Sequence, residues 1–499
     1  MTPPNPVSTP PTGEAPATGS TSVGKAPVSN GAPSPATIAR PAPAKQSRPY
    51  NWPPGLERNL LWAGIGRFRP RDPIKLFQFL AKTYGDIVHY KIGNRHVVLI
   101  NHPDYVREVL VNQNDNFIKE RTVRRMKMLV GEGLITSEGA LHRRQRQLSQ
   151  PAFHRQRIVA YAGDMVEMAA TFPKKKNWQP GATVDLSVEM MELTLGIVAK
   201  TLFGADLGDE VGEIGSAVST IMGLYHFLIM MPWAEALEPY PVPGLMKFKR
   251  ARARLDRTVY RLIAEHRRQS QDGGDLLSML LRARDDREGE DHGGMSDAQL
   301  RDEIMTIFLA GYETVANAFT WTWYLLSQNP DAEATLHHEL KTVLNGRLPR
   351  LEDIPQLPYT EMVLAESVRL YPPAWAQGRV AVRDFDLGGY HLPANTNVFM
   401  SQFLIHRDPR YFADPLRYDP LRWTPEAKVL RPRFSYFPFG AGARQCIGES
   451  FAWMEAILVL ATLAQRWRMT LAPGHRVEVY PLITLRAKYG MRMNLAQRL

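Results

Sequence analysis

The sequence predicts a mainly α-helical domain with a minor β part, and three observations carry that expectation. Apolar residues recur at helical spacing over long segments, such as Pro103 to Gln113 and Leu245 to Gln269. A segment opened by Ser296-Asp297-Ala298-Gln299, which reads as a capping box, runs to Gln328 before Asn329-Pro330 stops it. That makes a helix of about thirty residues, far above the ~11–12 average, long enough to cross a whole domain. Strand signals are short. They comprise a hairpin of Ile87 to Ile92 and Val97 to Ile100 around Gly93-Asn94, then Val380 to His391, Val398, and Val477 to Leu485.

The chain divides once. Residues 1–45 hold eleven of its 39 prolines and contain no leucine and no aromatic residue. Such a segment cannot bury enough apolar surface to offset its ordering entropy, so a disordered Pro/Ala/Ser/Thr-rich tail is expected there, with one globular domain over 46–499. No second linker and no repeat interrupts that domain.

Composition excludes several classes. Of 499 residues, 61 are Lys or Arg and 50 are Asp or Glu, leaving a net charge of +11, and there is a single cysteine. One cysteine rules out an internal disulfide framework, a four-cysteine zinc site and a self-supplied iron–sulfur cluster. It fits a reducing compartment. Met1 is followed by Thr2-Pro3-Pro4-Asn5 rather than by a basic start and an apolar run, so no secretory signal is read and a cytoplasmic location is expected. The richest apolar runs, Ile221 to Trp233 and Ile457 to Ala464, fall short of the ~20 residues a membrane span needs. The basic residues spread through helical segments without interleaved aromatics, so no nucleic-acid partner is expected.

The cysteine stands in Phe439-Gly440-Ala441-Gly442-Ala443-Arg444-Gln445-Cys446-Ile447-Gly448, directly before the apolar helical pattern Phe451 to Leu463. Alone, a cysteine is usually a small buried hydrophobe. Here the helix N-terminus and its free N–H groups favour a thiolate, the glycines let the backbone fold tightly around the sulfur, and Arg444 offers a cation two residues away. Such a thiolate is suited to ligate a metal. A cofactor that brings its own equatorial ligands needs only this one from the protein, which points to haem.

The segment resembles the cysteine loop of the cytochrome P-450 superfamily, Phe-x-x-Gly-x-Arg-x-Cys-x-Gly, met at Phe439, Gly442, Arg444, Cys446 and Gly448. Three further matches follow the family's order. Glu366-Ser367-Val368-Arg369, with Asp419-Pro420-Leu421-Arg422-Trp423, is similar to its Glu/Arg/Arg core network, Arg422 being the third member. Ala310-Gly311-Tyr312-Glu313-Thr314 lies in the long helix: by resemblance, Ala310 and Gly311 let the helix approach the haem, while Glu313 and Thr314 form a proton-delivering acid–alcohol pair. In Gly139 to Arg146, His142 takes the place of the family's usual Trp and Arg146 that of its Arg, both toward a haem propionate. Arg379 resembles the strand arginine that also meets a propionate, and Gly440 belongs to the cofactor loop.

The resemblance covers residues from about 50 to 499. It implies the P-450 fold with haem b between the long central helix and the cysteine-loop helix, ligated by Cys446. It also implies a stand-alone monooxygenase that inserts one atom of dioxygen into an apolar small molecule such as a fatty acid or terpene. Electrons would come from a separate acidic ferredoxin or flavodoxin docking on Arg143, Arg144, Arg431 and Arg433. A peroxide-driven or oxygen-independent haem-thiolate enzyme and a non-catalytic haem sensor are the alternatives; Glu313 and Thr314 argue against the first. Candidate pocket residues, again by resemblance, are Phe117, Met126, Met222, Phe227, Phe308, Trp375 and Ile483.

Overall fold

The computed structural model describes residues 48–57, 59, 72–204, 214–218, 220–221, 223–224, 240, 242–268, 274–283 and 294–498. The expected hairpin forms from β1 (Ile87–Ile92) and β2 (Arg95–Ile100), paired from Ile87↔Ile100 to Ile92↔Arg95, with Gly93 at φ +62° in the turn. With β3 (Phe117–Lys119), β4 (Gln377–Ala381) and β5 (Asn397–Met400) it builds a five-stranded sheet in the order β1-β2-β5-β4-β3. Only β2 and β5 run parallel. Parallel pairing demands a crossover, and most of the helical part of the chain lies inside it.

The helices that frame the site are α1 (Pro73–Tyr84), α2 (Arg121–Arg125), α3 (Gly139–Ser149), α4 (Arg155–Lys175), α5 (Leu186–Phe203), α6 (Pro243–Arg268), α7 (Asp297–Gln328), α8 (Pro358–Leu370) and α9 (Glu449–Ala464). The capping box that opens α7 is present: Gln299 N–H donates to Ser296 Oγ at 3.2 Å, and Ser296 N–H to Gln299 Oε1 at 3.0 Å. At a rise of about 1.5 Å per residue, its 32 residues span roughly 48 Å. It is buried on nearly every side because it packs on α5, α6, α8 and α9 at once. Trp321 and Trp323 are fully buried; Trp321 stacks on Tyr371 at 4.1 Å and donates its indole N–H to the Leu485 carbonyl at 2.9 Å. One stripe breaks the burial. Ala310 is exposed in mid-helix, and Gly311, Thr314 and Ala318, on the same face, are half-buried.

Two expectations are refined. The helix expected over Pro103 to Gln113 is α-helical only to Arg107. From Glu108 to Asn112 it widens to a π turn, in which Gln113 N–H reaches back five residues to the Glu108 carbonyl at 2.9 Å. The strand expected over Val477 to Leu485 is a small hairpin, Val479–Pro481 against Leu485–Ala487, with residues 482–484 as its turn.

Candidate active site

The cysteine loop turns on two glycines in the left-handed region, Gly440 at φ +71° and Gly442 at φ +68°. They are not equivalent. A Cβ on Gly442 would lie 2.1 Å from the Leu110 carbonyl oxygen, so the loop is seated on the π turn, whereas a Cβ on Gly440 would find its nearest atom, Gln377 Oε1, at 3.6 Å. The fold-back closes when Cys446 N–H donates to the Phe439 carbonyl at 2.9 Å, and the Phe439 ring packs on Trp453 of α9 with centroids 5.8 Å apart. Protein surrounds the Cys446 sulfur closely enough for burial to push its thiol up to about 11, although the Gly448 N–H and Arg146 draw it down. The residue as a whole is nevertheless exposed. The cation near the sulfur is therefore Arg146, which donates to the Gln445 carbonyl at 2.7 Å. Arg444, expected in that part, instead points to the Glu138 carboxylate and the Ser137 carbonyl, because the fold-back carries its side chain toward the loop before α3.

The loop rests on a buried ionic shelf. Glu366 and Arg369, both with fully buried side chains, pair through two 2.7 Å hydrogen bonds. Arg422 Nε stands 3.4 Å from Glu366 Oε1, as the three-residue network requires. The same carboxylate accepts Trp423 Nε1 and the Asp419 backbone N–H, each at 3.0 Å. Arg369 then donates to the carbonyls of His406 and Pro415 at 2.7 Å, and His406 Nε2 accepts the Phe437 N–H at 3.0 Å. His406, not foreseen from the sequence, thus ties the shelf to the residue two before Phe439.

Positive charge gathers around the loop. Lys119 at the end of β3 pairs in register with Arg379 of β4. Lys119 is buried, donates to the Leu134 and Ser137 carbonyls at 3.0 and 2.7 Å, and has its ammonium drawn down to about 7, first by burial and then by Arg444. Arg379 is drawn down to about 10 by burial and Arg444, and donates to Gln377 Oε1 at 3.3 Å, the amide that also lies over Gly440. His142 is buried and drawn down to about 3 by burial and then by Arg444, Lys119, Arg146 and Arg143, so it is a neutral imidazole with one N–H to donate. The carboxylates coupled to this group are Glu138 and, through Lys119, Glu303. Four cations against two acids in a desolvated place favour an anionic ligand, and the residues fit the two propionates and single axial thiolate that haem b asks for.

On α7, Thr314 Oγ1 donates to the Ala310 carbonyl at 2.8 Å, on the open stripe. Glu313 is buried and turned away from it: its Oε1 accepts Thr484 Oγ1 and Arg486 Nε, the latter at 2.8 Å. The structure therefore does not bring the acid to the alcohol. A Cβ on Gly311 would meet Val198 Cγ2 at 3.1 Å, so its smallness serves the packing of α5 on α7.

The pocket expectations need correction. Phe117 shares a sheet face with Lys119, two residues on, and is buried there edge-on to Phe385 at 5.1 Å in an apolar cluster with Ala381 and Val398. Phe308 is buried against Phe203 and Tyr312, on the side of α7 that packs on α5, and is turned about 200° from Ala310. Met126 is buried in the main core. Trp375 and Ile483 are half-buried and lie together, Trp375 Nε1 donating to the Leu482 carbonyl at 2.8 Å. Met222 and Phe227 lie outside the described residues. Among the docking arginines, Arg143 and Arg433 are exposed, but the Arg431 guanidinium sits 4.2 Å above the Trp423 ring.

A mainly helical fold with a single cysteine in a glycine-turned loop and excess buried cations beside it suits the binding of an anionic cofactor. The chain matches the Cytochrome P450 family over residues 53–484. It is 40% identical over 435 residues to Cyclooctatin synthase of Streptomyces melanosporofaciens, covering 85% of this chain and 92% of that one. It is 35% identical over 433 residues to Pentalenene oxygenase of Streptomyces avermitilis, covering 86% and 94%. The cytochrome P450DA heme domain has the same fold, with a TM-score of 0.80 at 24% identity, covering 91% of this chain and 99% of that one. The protein belongs to the cytochrome P450 family and is a monooxygenase whose cofactor is haem b. Among the described residues no helix is long and apolar enough to cross a membrane.

Proposed function

We propose that this P450 oxygenates a terpene, with Cys446 as the residue that would ligate the haem iron and Arg146, Arg379, Arg444, His142 and Lys119 as those that would hold its propionates. The observation that carries the site is the excess of buried positive charge beside the cysteine loop. Bound there, haem supplies the activation of dioxygen. The chain's own residues do the rest. Thr314 Oγ1 is the hydroxyl that holds a proton beside the open stripe, and Glu313 supplies it after turning from Arg486. Ala310, Gly311, Thr314 and Ala318 put no charge on that stripe, which suits an apolar substrate. The relatives named for cyclooctatin and pentalenene support a terpene. Exposed Arg143 and Arg433 support an acidic ferredoxin as electron donor.

The test is a spectral titration of the haem-loaded enzyme with cyclic sesquiterpenes and diterpenes, fatty acids and small polar compounds, followed by turnover under oxygen-18 gas. Terpenes alone should shift the haem to high spin, and the product should carry one labelled atom. A shift with fatty acids only, or a product without label, overturns the reading.

A further inference from the structure

A second concentration of cations lies on the other face of the sheet. A cavity of about 520 Å³ is lined by Arg95, Arg121, Arg124, Arg125 and Lys127, with Val380, Asn395 and Asn397. Its floor follows from the register. Val97, Asn397, Val380 and Ile118 pair across β2, β5, β4 and β3 in one transverse row, so their side chains share a face, and Arg95, two residues before Val97, joins it. Arg379 alternates to the opposite face, toward Gln377 and the Gly440 turn. An occupant of this cavity is therefore separated by the sheet from the haem site.

The wall is built by α2, which places Arg121, Arg124 and Arg125 at i, i+3 and i+4 on one helical side. Arg125 is only 8% exposed, and Arg95 and Arg124 are open to solvent. No acidic residue is among the described lining residues. Glu120, at the start of α2, accepts the Thr122 N–H at 2.8 Å as a helix cap, and Lys127 pairs with Glu132 at 2.5 Å outside the lining. Asn395, held at φ +65° by the turn, and Asn397 bring amide groups to the same cavity.

We propose that this cavity binds the phosphate or diphosphate end of a small organic ligand. Arg95 and Arg124 bring two solvent-open guanidinium groups to the cavity, and such forks match phosphate oxygens two at a time where a single carboxylate would engage only one. The concave shape and a volume inside the ~300–1,000 Å³ range of small-molecule sites fit a ligand better than a flat protein surface.

The test uses the full-length, haem-loaded protein, titrated calorimetrically at about 50 mM ionic strength with inorganic diphosphate, inorganic phosphate and acetate, in that expected order of affinity. Diphosphate should saturate one site and raise the unfolding temperature, leaving the haem spectrum unchanged. Arg95→Gln with Arg124→Gln should weaken diphosphate binding about tenfold or more, with haem content as in the wild type; Arg124→Gln alone should give a smaller loss. Acetate binding as well as diphosphate overturns the proposal, as does unchanged binding by the double variant. Association with phosphatidylglycerol vesicles without any binding of diphosphate overturns it too, and assigns the cations to a lipid surface.

Discussion

Replacing Gly442 by Ala should damage the protein far more than replacing Gly440, although both glycines sit in the left-handed region of the same loop. Each alanine bears the conformational cost of a positive φ, about 1–2 kcal/mol. At Gly440 that is the whole effect, since the new methyl finds its nearest neighbour at 3.6 Å, an ordinary contact with a movable amide. At Gly442 the methyl would stand 2.1 Å from the Leu110 carbonyl oxygen and 3.1 Å from its carbon. That obstacle is backbone, fixed in the π turn, so overpacking adds about 1–3 kcal/mol and the loop must lift from its seat. The predicted totals are about 1–2 kcal/mol for Gly440→Ala and about 2–5 kcal/mol for Gly442→Ala. Urea unfolding followed by tryptophan fluorescence, with haem content measured alongside, checks both. Gly442→Ala should also lose haem, because lifting the loop displaces Cys446. Equal losses for the two variants would refute the seating of the loop on the π turn.

Glu366→Gln removes the charge that neutralises Arg369, whose side chain is fully buried, and should cost about 3–5 kcal/mol, seen as a collapse in folded, haem-bearing yield. Thr314→Ala should leave haem content unchanged while product formed per reductant consumed falls and peroxide rises, measured by parallel assays of the three. A pH effect should arise at the buried pair of His266 and Asp275. The hydrogen bond His266 donates to Asp275 raises the imidazole above its ordinary 6.5; burial pushes Asp275 up, but the bonds it accepts from His266 and Ser278 outweigh it and bring Asp275 below 3.8. The histidine's contribution is complete below 6.5 and fades as pH rises through its raised value, while the aspartate's fades as pH falls through its lowered one. The stability gap between wild type and His266→Gln, read from unfolding midpoints, should be widest between pH 3.8 and 6.5 and narrow above.

What was legible in the sequence was whatever the chain states contiguously. The cysteine loop, the capping box before α7 and the Glu366–Arg369 spacing are local patterns, and the structure keeps each of them. Groups assembled from distant segments were not legible. Lys119, Glu138 and His406 come from a strand end and two loops, and nothing in their neighbours signals that β3 will lie beside β4 or that Phe437 will need an acceptor. Direction was the other loss. Adjacent residues on a helix differ by about 100°, so Glu313 goes to Arg486 while Thr314 keeps the open stripe, and Phe308 faces α5. The same ambiguity sent Arg444 to Glu138 and left Arg146 near the sulfur.

We propose that the single thiol, Cys446, holds the haem iron. The direct measurement is the absorption spectrum of the reduced, carbon monoxide-treated Cys446→Ser variant, loaded with haem and shown by circular dichroism to be folded. The thiolate-dependent red-shifted Soret band of the wild type should be absent, because no other cysteine exists to replace the ligand. A variant that is folded, haem-bearing and still shows that band would contradict the assignment and with it the account of the site.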